Sequence, residues 1–157
     1  MRLAVKILVL LFFFTKWTNV KTIIGKVIQV TDGDTIVVIK KDKKYTIRLN
    51  GIDAPEKKQF YGQEVKKTLS NKLLNKTVRI EWTEKDKYGR TLGNVFLDKK
   101  SINKWLIEEG YAWHYKKYSK SKILAQLETD AKIKKKGLWQ YANPMEPWKF
   151  RKLKKKK

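Results

Sequence analysis

Alternation of apolar and polar residues marks five segments of this chain as β-strands. Apolar side chains recur at about every second position over residues 23–30, 35–40, 45–49, 77–82 and 91–97. The first two segments are joined by Asp32-Gly33, a dipeptide typical of tight hairpins because glycine tolerates the positive φ that such turns need. The pattern therefore predicts a β-rich domain that begins with a hairpin.

Helical spacing of apolar residues appears in three places, all after the third strand. Residues 62–74 carry apolar side chains three and four positions apart, and residues 123–135 do the same before Gly137. Between them, Ser101 can cap a short helix that ends at Gly110. These elements predict an α+β fold, a five-stranded OB-type β-barrel with three covering α-helices. Such barrels bind nucleic acids on one face.

The two ends of the chain differ from this middle part. Residues 1–20 place Arg2 and Lys6 around the start of an apolar run, as in a secretory signal, and the run is shorter than the about 20 apolar residues of a membrane span. We expect an exported protein that is secreted, periplasmic or tethered to the outer face of the membrane by an uncleaved leader. Residues 21–142 form the predicted barrel domain, and residues 143–157 form a basic tail with Pro, Trp and many Lys.

The net charge of the chain indicates what kind of molecule it binds. The chain has 38 Lys and Arg against 15 Asp and Glu, a formal charge of +23. Such an excess favours a polyanion, either nucleic acid or an anionic membrane, although a solvated Lys-rich surface is the plainer alternative. The absence of Cys excludes disulfides and thiolate chemistry. The single His114 excludes two-histidine ribonuclease chemistry, and we expect it to serve packing or the surface.

Three acidic residues stand at turns that the strand order brings together. Asp34 closes the first hairpin, and Asp53 and Glu56 lie in the loop after the third strand. Because the second and third strands are hairpin neighbours, Asp34 and Asp53 can meet at one end of the barrel. Carboxylates, a loop carbonyl and waters make the hard-oxygen site that Ca²⁺ accepts. Each acid by itself is more often a solvated turn residue, and only their combination favours a metal site.

Arginine is rare in this lysine-rich chain, which makes its positions informative. Only five arginines occur; Arg48 adjoins the acidic loop and Arg90 ends a turn at residues 86–90. A guanidinium grips a phosphate with two parallel hydrogen bonds, which an ammonium cannot do. Two phosphate clamps, a cation and a carboxylate that positions water form a coherent set for cleaving a phosphodiester.

Three ordered blocks now make a resemblance plain. The blocks are DGDT at 32–35, RLNGIDAPE at 48–56 and DKYGR at 86–90. They resemble the signature blocks of the thermonuclease-like (staphylococcal or micrococcal nuclease) family, and the likeness runs from about residue 23 to 139. It implies an OB-type barrel and a Ca²⁺-dependent, sugar-nonspecific nuclease that leaves a 3′-phosphate and a 5′-hydroxyl.

The resemblance also implies the metal ligands. Asp34 and Asp53 would ligate Ca²⁺ through their carboxylates, Ala54 through its backbone carbonyl, and Asp32 through water. Glu56 would orient or deprotonate the attacking water; the resemblance leaves both roles open.

The same resemblance implies the substrate contacts. Arg48 and Arg90 would bind the scissile phosphate and stabilise the charge of the transition state. Nucleic-acid contacts would come from Lys87, Tyr88, Tyr115 and Tyr118. The expected partners are DNA and RNA, bound by a monomer, with weak anionic membrane association through the leader or the basic tail. The alternative is a non-catalytic OB-fold protein that only binds nucleic acid.

Overall fold

Five strands close into a barrel, and helices cover it. The structure is a computed structural model that describes residues 19–155. The strands are β1 Lys21–Asp32, β2 Thr35–Lys40, β3 Lys43–Leu49, β4 Ile52–Asp53, β5 Thr77–Lys85, β6 Thr91–Leu97, β7 Lys100–Ser101 and β8 Trp113–His114. The helices are α1 Gly62–Leu73, α2 Ile102–Glu108, α3 Lys122–Ile133 and α4 Pro147–Lys155, with a 3₁₀ helix at Gly137–Gln140.

The barrel closes through one parallel pairing. Strands β3, β2, β1, β5 and β6 follow one another as antiparallel neighbours, and β3 then pairs in parallel with β6. The long strand β1 pairs with β5 through residues 21–26 and with β2 through residues 26–32. Its register with β2 shifts between Val27 and Gln29, and a bulge of this kind bends a strand. The α+β class and the five-stranded OB-type barrel predicted from the sequence are confirmed.

Apolar side chains that alternate along the strands form the core of the barrel, as the sequence pattern predicts. Alternate side chains of β1, β2, β3 and β5 point inward and are buried, among them Val27, Ile36, Ile47 and Ile80. Helix α1 contributes Val65, Leu69 and Leu73 to the same core. Burial of this apolar surface is the main term that stabilises the barrel.

The β1–β2 hairpin forms as predicted, but the reason given for Gly33 was wrong. The glycines with positive φ are Gly51, Gly89, Gly110 and Gly137, so Gly33 does not use its freedom at positive φ. Its missing side chain makes room instead. A Cβ atom there would lie 2.8 Å from Ala54 Cβ and 2.8 Å from Val65 Cγ1, which are impossible contacts. Gly33 therefore lets the acidic loop and α1 approach the hairpin closely.

Helix α4 extends the fold beyond the three predicted helices. The predicted three correspond to α1, α2 and α3, and Ser101 caps α2 by accepting a hydrogen bond from the Lys104 N–H at 3.3 Å. The segment that forms α4 was described from sequence only as a basic tail. Pro147 opens the helix, as proline at a first helical position often does.

The predicted leader cannot be compared with the fold. Residues 1–18 lie outside the described residues. Between residues 19 and 155, no helix is both long and apolar enough to cross a membrane.

Candidate active site

Two strand pairings bring Asp34 and Asp53 onto one arginine. Thr35 pairs with Arg48 across β2 and β3, so Asp34, one residue earlier, lies beside the arginine. Strand β4 pairs with β8 and holds Asp53 opposite Trp113. Nη2 of Arg48 lies 2.9 Å from Asp34 Oδ2 and 2.9 Å from Asp53 Oδ1. The meeting of the two carboxylates at one end of the barrel is therefore present in the structure.

Arg48 is fixed by more than its two carboxylates. Its Nη1 donates to the backbone carbonyls of Leu49 and Ile52, each at 2.9 Å. These carbonyls belong to the segment that turns from β3 into β4, so the guanidinium holds that turn closed. The side chain is only 12% exposed, and its planar fork satisfies both carbonyls and carboxylates at once.

Asp34 is orientated by its neighbours. The backbone N–H of Ala54 donates to Asp34 Oδ2 at 2.9 Å, and the Thr35 hydroxyl donates to Oδ1 at 3.0 Å. Asp32 lies next to this carboxylate and accepts a hydrogen bond from the Gly33 N–H. Burial raises the pKa of Asp32 to about 6, and the nearby negative charges of Asp34 and Glu56 act in the same direction. Asp32, Asp34, Asp53 and Glu56 therefore form an acidic cluster in which neighbouring carboxylates repel one another.

A second arginine reaches this acidic site from α4. Arg151 Nη1 donates to Glu56 Oε1 at 2.6 Å, and Nη2 donates to Asp53 Oδ2 at 2.8 Å. Partial burial would lower the pKa of Arg151, but the hydrogen bonds that it donates to Asp53 and Glu56 outweigh this effect and raise the pKa. Burial raises the pKa of Asp53, against the opposing effect of Arg151 and Arg48. Sequence reasoning missed Arg151, although one arginine within a run of lysines was a usable signal.

The loop that carries Glu56 is tightly folded and tied to the C-terminal segment. The Glu56 N–H donates to the Gln59 side chain at 3.1 Å, and the Gln59 amide in turn donates to the Met145 carbonyl. Gly62 permits this fold, because a Cβ atom there would lie 1.9 Å from the Glu56 carbonyl oxygen. The Glu56 carboxylate remains 31% exposed and can therefore meet water.

The structure does not bring Arg90 onto the carboxylates. Its Nε donates to Asp86 Oδ2 at 2.7 Å, and its guanidinium lies 5.5 Å from the centre of the Tyr88 ring. Burial opposes ionisation of Asp86, but hydrogen bonds from Arg90 and Tyr88 outweigh it and lower the pKa of Asp86. The turn therefore holds Arg90 on a carboxylate of its own, with a third of the side chain exposed.

The predicted nucleic-acid contacts fall on one side of the site. Tyr115 stacks on Trp148, with ring centres 5.4 Å apart and planes 4° apart, and Tyr118 meets Tyr115 edge-on. Tyr88 is 72% exposed, and Lys87 lies over its ring. Tyr88 and Tyr115 line a cavity of about 860 Å³ beside α4. We call this cavity the α4 groove; its wall also includes Lys116, Trp148, Arg151 and Lys152.

His114 serves the packing of the site, as expected from the sequence. The side chain is buried, and its Nε2 lies 3.0 Å from the Ser119 hydroxyl oxygen. Its backbone N–H donates to the buried Glu128 carboxylate at 3.0 Å. Burial lowers the pKa of His114, so the ring is neutral at pH 7. A residue held in this way supports β8, on which Asp53 depends.

The oxygen donors suit a hard divalent cation. Asp34 Oδ2 and Asp53 Oδ1 each lie 2.9 Å from Nη2 of Arg48, so the guanidinium occupies the point that both oxygens face. Carboxylate and backbone carbonyl oxygens are the ligands that Ca²⁺ accepts. In the described part of the chain, no three His, Asp or Glu side chains are grouped to hold a metal by themselves. A cation bound here would complete its shell with the Ala54 carbonyl and water.

Comparison with known sequences identifies relatives of this chain. Residues 46–141 match the sequence model of the family described as staphylococcal nuclease homologue. An uncharacterized endonuclease of Escherichia coli O157:H7 is 39% identical over 142 residues, which cover 90% of this chain and 93% of that protein. An uncharacterized endonuclease of Haemophilus influenzae is 43% identical over 131 residues, covering 83% and 74%.

A plant relative extends the comparison. A staphylococcal-like nuclease of Arabidopsis thaliana is 39% identical over 112 residues, which cover 71% of this chain and 35% of the plant protein. The matched family region contains Arg48, Asp53, Glu56 and Arg90. Because that region spans more than half of the chain and the bacterial relatives cover most of it, this protein belongs to the staphylococcal nuclease homologue family.

Proposed function

We propose that this nuclease requires Ca²⁺ and hydrolyses both DNA and RNA, leaving 3′-phosphate and 5′-hydroxyl ends. The observation that carries the proposal is the convergence of Asp34 and Asp53 on Arg48, with Glu56 one loop away. A protein that only binds nucleic acid has no use for buried carboxylates at its binding face, because they repel phosphates. A hydrolase needs them to hold a cation and to position water.

The proposed residue roles are those that the family resemblance implies. Asp34, Asp53 and the Ala54 carbonyl would hold the cation, with Asp32 acting through water. Bound Ca²⁺ would supply positive charge that polarises the phosphate and stabilises the transition state.

Two further side chains would handle the reacting atoms. Arg48, held rigid by the Leu49 and Ile52 carbonyls, would bind the scissile phosphate. The partly exposed Glu56 carboxylate would orient a water molecule and accept its proton.

Arg90 is proposed as a second phosphate-binding arginine that acts from the rim. Its side chain is one-third exposed and lies beside Tyr88, which lines the α4 groove. Movement from Asp86 to a bound phosphate would exchange one charge-assisted hydrogen bond for another. This exchange needs only a side-chain rotation at the turn.

The end groups of the products test the proposed chemistry. Digestion of single-stranded DNA and RNA oligonucleotides with Ca²⁺ should give fragments that polynucleotide kinase labels directly, because their 5′ ends are free hydroxyls. Terminal transferase should extend the DNA fragments only after removal of a 3′-phosphate. A Glu56→Gln preparation, purified in parallel, controls for contaminating nucleases. Fragments with 5′-phosphate ends would contradict the proposal.

The cellular location, membrane association and oligomeric state of the protein are proposed from the sequence alone. The charged and apolar pattern of residues 1–20 supports export, with the protein secreted, periplasmic or tethered. The basic tail supports weak attraction to anionic membranes, and the protein is proposed to act as a monomer. Fractionation of producing cells, followed by nuclease assays of each fraction, tests the proposed export.

A further inference from the structure

Helix α4 is in contact with the proposed catalytic residues and with an aromatic side chain of the groove. Arg151 reaches Asp53 and Glu56, and Trp148 stacks on Tyr115. We propose that α4 is a substrate-binding element, in which Trp148 stacks with a base and Arg151 binds a phosphate of a single nucleic-acid strand in the α4 groove. The inference rests on the proposed function, because the bound strand is the substrate of the nuclease.

The aromatic wall of the groove suits unpaired bases. Trp148 and Tyr115 lie in nearly parallel planes, and Trp148 is only partly buried. The exposed ring of Tyr88 also lines the groove, and the exposed ring of Tyr118 meets Tyr115 edge-on. Aromatic faces interleaved with basic side chains are the usual means of binding a single strand, because every base offers a flat face for stacking. Bases within a duplex are stacked on one another and cannot use such a wall.

Arg151 stands between the groove and the proposed reaction site. Its guanidinium lies on the two carboxylates, yet 38% of the side chain is exposed and it also lines the groove. A phosphate that enters next to Glu56 therefore meets Arg151 without any movement of the backbone. A planar guanidinium can bind such a phosphate through two parallel hydrogen bonds.

The charge of α4 favours binding of the substrate. Five of its nine residues are Lys or Arg and none is acidic. A basic segment of this kind attracts a polyanion. The two acidic residues in the groove wall already have partners: Glu128 pairs with Lys116 and Lys132, and Glu146 pairs with Lys149. The groove therefore presents net positive charge to a strand.

Binding without cleavage tests the inference. The full chain is titrated against a fluorescein-labelled 12-nucleotide single strand in EDTA, and anisotropy gives Kd. Trp148→Ala should raise Kd about tenfold, the range that loss of one stacked base gives. Arg151→Ala should raise Kd several-fold. It should also reduce the slope of log Kd against log salt concentration by about 0.7, the value for one lost phosphate contact on a single strand. Trp148→Phe should keep most of the affinity, which separates stacking from loss of folding.

Lys154→Ala is the matched control. It removes one charge from the same helix, but Lys154 does not line the groove and instead lies over Phe150. Its Kd should change less than twofold. With Ca²⁺ present, Trp148→Ala should raise KM and leave kcat nearly unchanged. Thermal melting followed by circular dichroism checks that each variant is folded.

Three results would overturn the inference. They are an unchanged Kd in folded Trp148→Ala and Arg151→Ala, an equal loss for duplex and single strand, and faster cleavage by Arg151→Ala at limiting Ca²⁺. The last result would make α4 a blocking element. The proposed nuclease function fails separately: wild-type protein that binds through Trp148 and Arg151 but never cleaves would leave this inference standing.

Discussion

Glu56→Gln should lower kcat for DNA hydrolysis by about a thousandfold, the middle of the range for losing a general base. Glutamine keeps the shape of the side chain and can still accept a hydrogen bond from Arg151, so the loop should keep its fold. It cannot accept a proton from water. Initial rates on a single-stranded oligonucleotide at saturating substrate measure the effect, and KM should change little.

Glu64→Gln provides a matched control for this loss. Glu64 lies in the first turn of α1 and is exposed, so the same chemical change occurs outside the acidic cluster. Its rate should stay within twofold of the wild type. A Glu56→Gln protein that keeps a tenth or more of the wild-type kcat would remove Glu56 from the chemistry.

Arg48→Ala should cost both stability and activity, unlike Glu56→Gln. Its removal leaves Asp34 and Asp53 buried without this partner, and a broken buried ion pair typically costs about 3–5 kcal/mol. The carbonyls of Leu49 and Ile52 also lose a donor. Loss of a phosphate clamp should further lower kcat/KM by at least about a hundredfold. Urea unfolding followed by circular dichroism measures the first effect, and initial rates measure the second.

Arg48→Lys and Arg79→Ala separate the two effects. Lysine restores a charge without the planar fork, so it should recover part of the stability and little of the activity. Arg79 lies near the start of β5 and pairs with Glu81 at the surface, so its loss should cost less than about 1 kcal/mol. Arg48→Ala that is active at the wild-type level would show that its role is structural alone.

The barrel could be predicted because each strand has one face in the core and one face in water. Half-buried antiparallel strands alternate apolar and polar residues, and the observed burial of Ile36, Val38 and Ile47 follows that alternation. Hairpin connection of β2 to β3 was enough to bring Asp34 near Asp53. Strand order and turn positions were therefore enough to predict that Asp34 and Asp53 lie close together.

The features that sequence did not predict depend on contacts between distant parts of the chain. Helix α4 is short and rich in Lys and Arg, so its sequence resembles a basic tail, and the contact of Arg151 with Asp53, 98 residues earlier, cannot be read from it. The spatial role of Gly33 depends on Val65 and Ala54, neither of which is a sequence neighbour. Arg90 and Asp86 are only four residues apart and form an ion pair. The sequence shows that both residues belong to the same turn, but it does not show whether Arg90 points towards Asp86 or towards the active site.

The central claim is that the acidic cluster hydrolyses phosphodiesters when it holds Ca²⁺. The most direct measurement is the initial rate of single-stranded DNA hydrolysis by wild-type protein and Asp53→Asn, each with Ca²⁺ and with EGTA. We predict cleavage by the wild type in Ca²⁺, none in EGTA, and at least a hundredfold slower cleavage by Asp53→Asn in Ca²⁺. Equal wild-type rates in Ca²⁺ and EGTA, or wild-type activity in Asp53→Asn, would contradict the account.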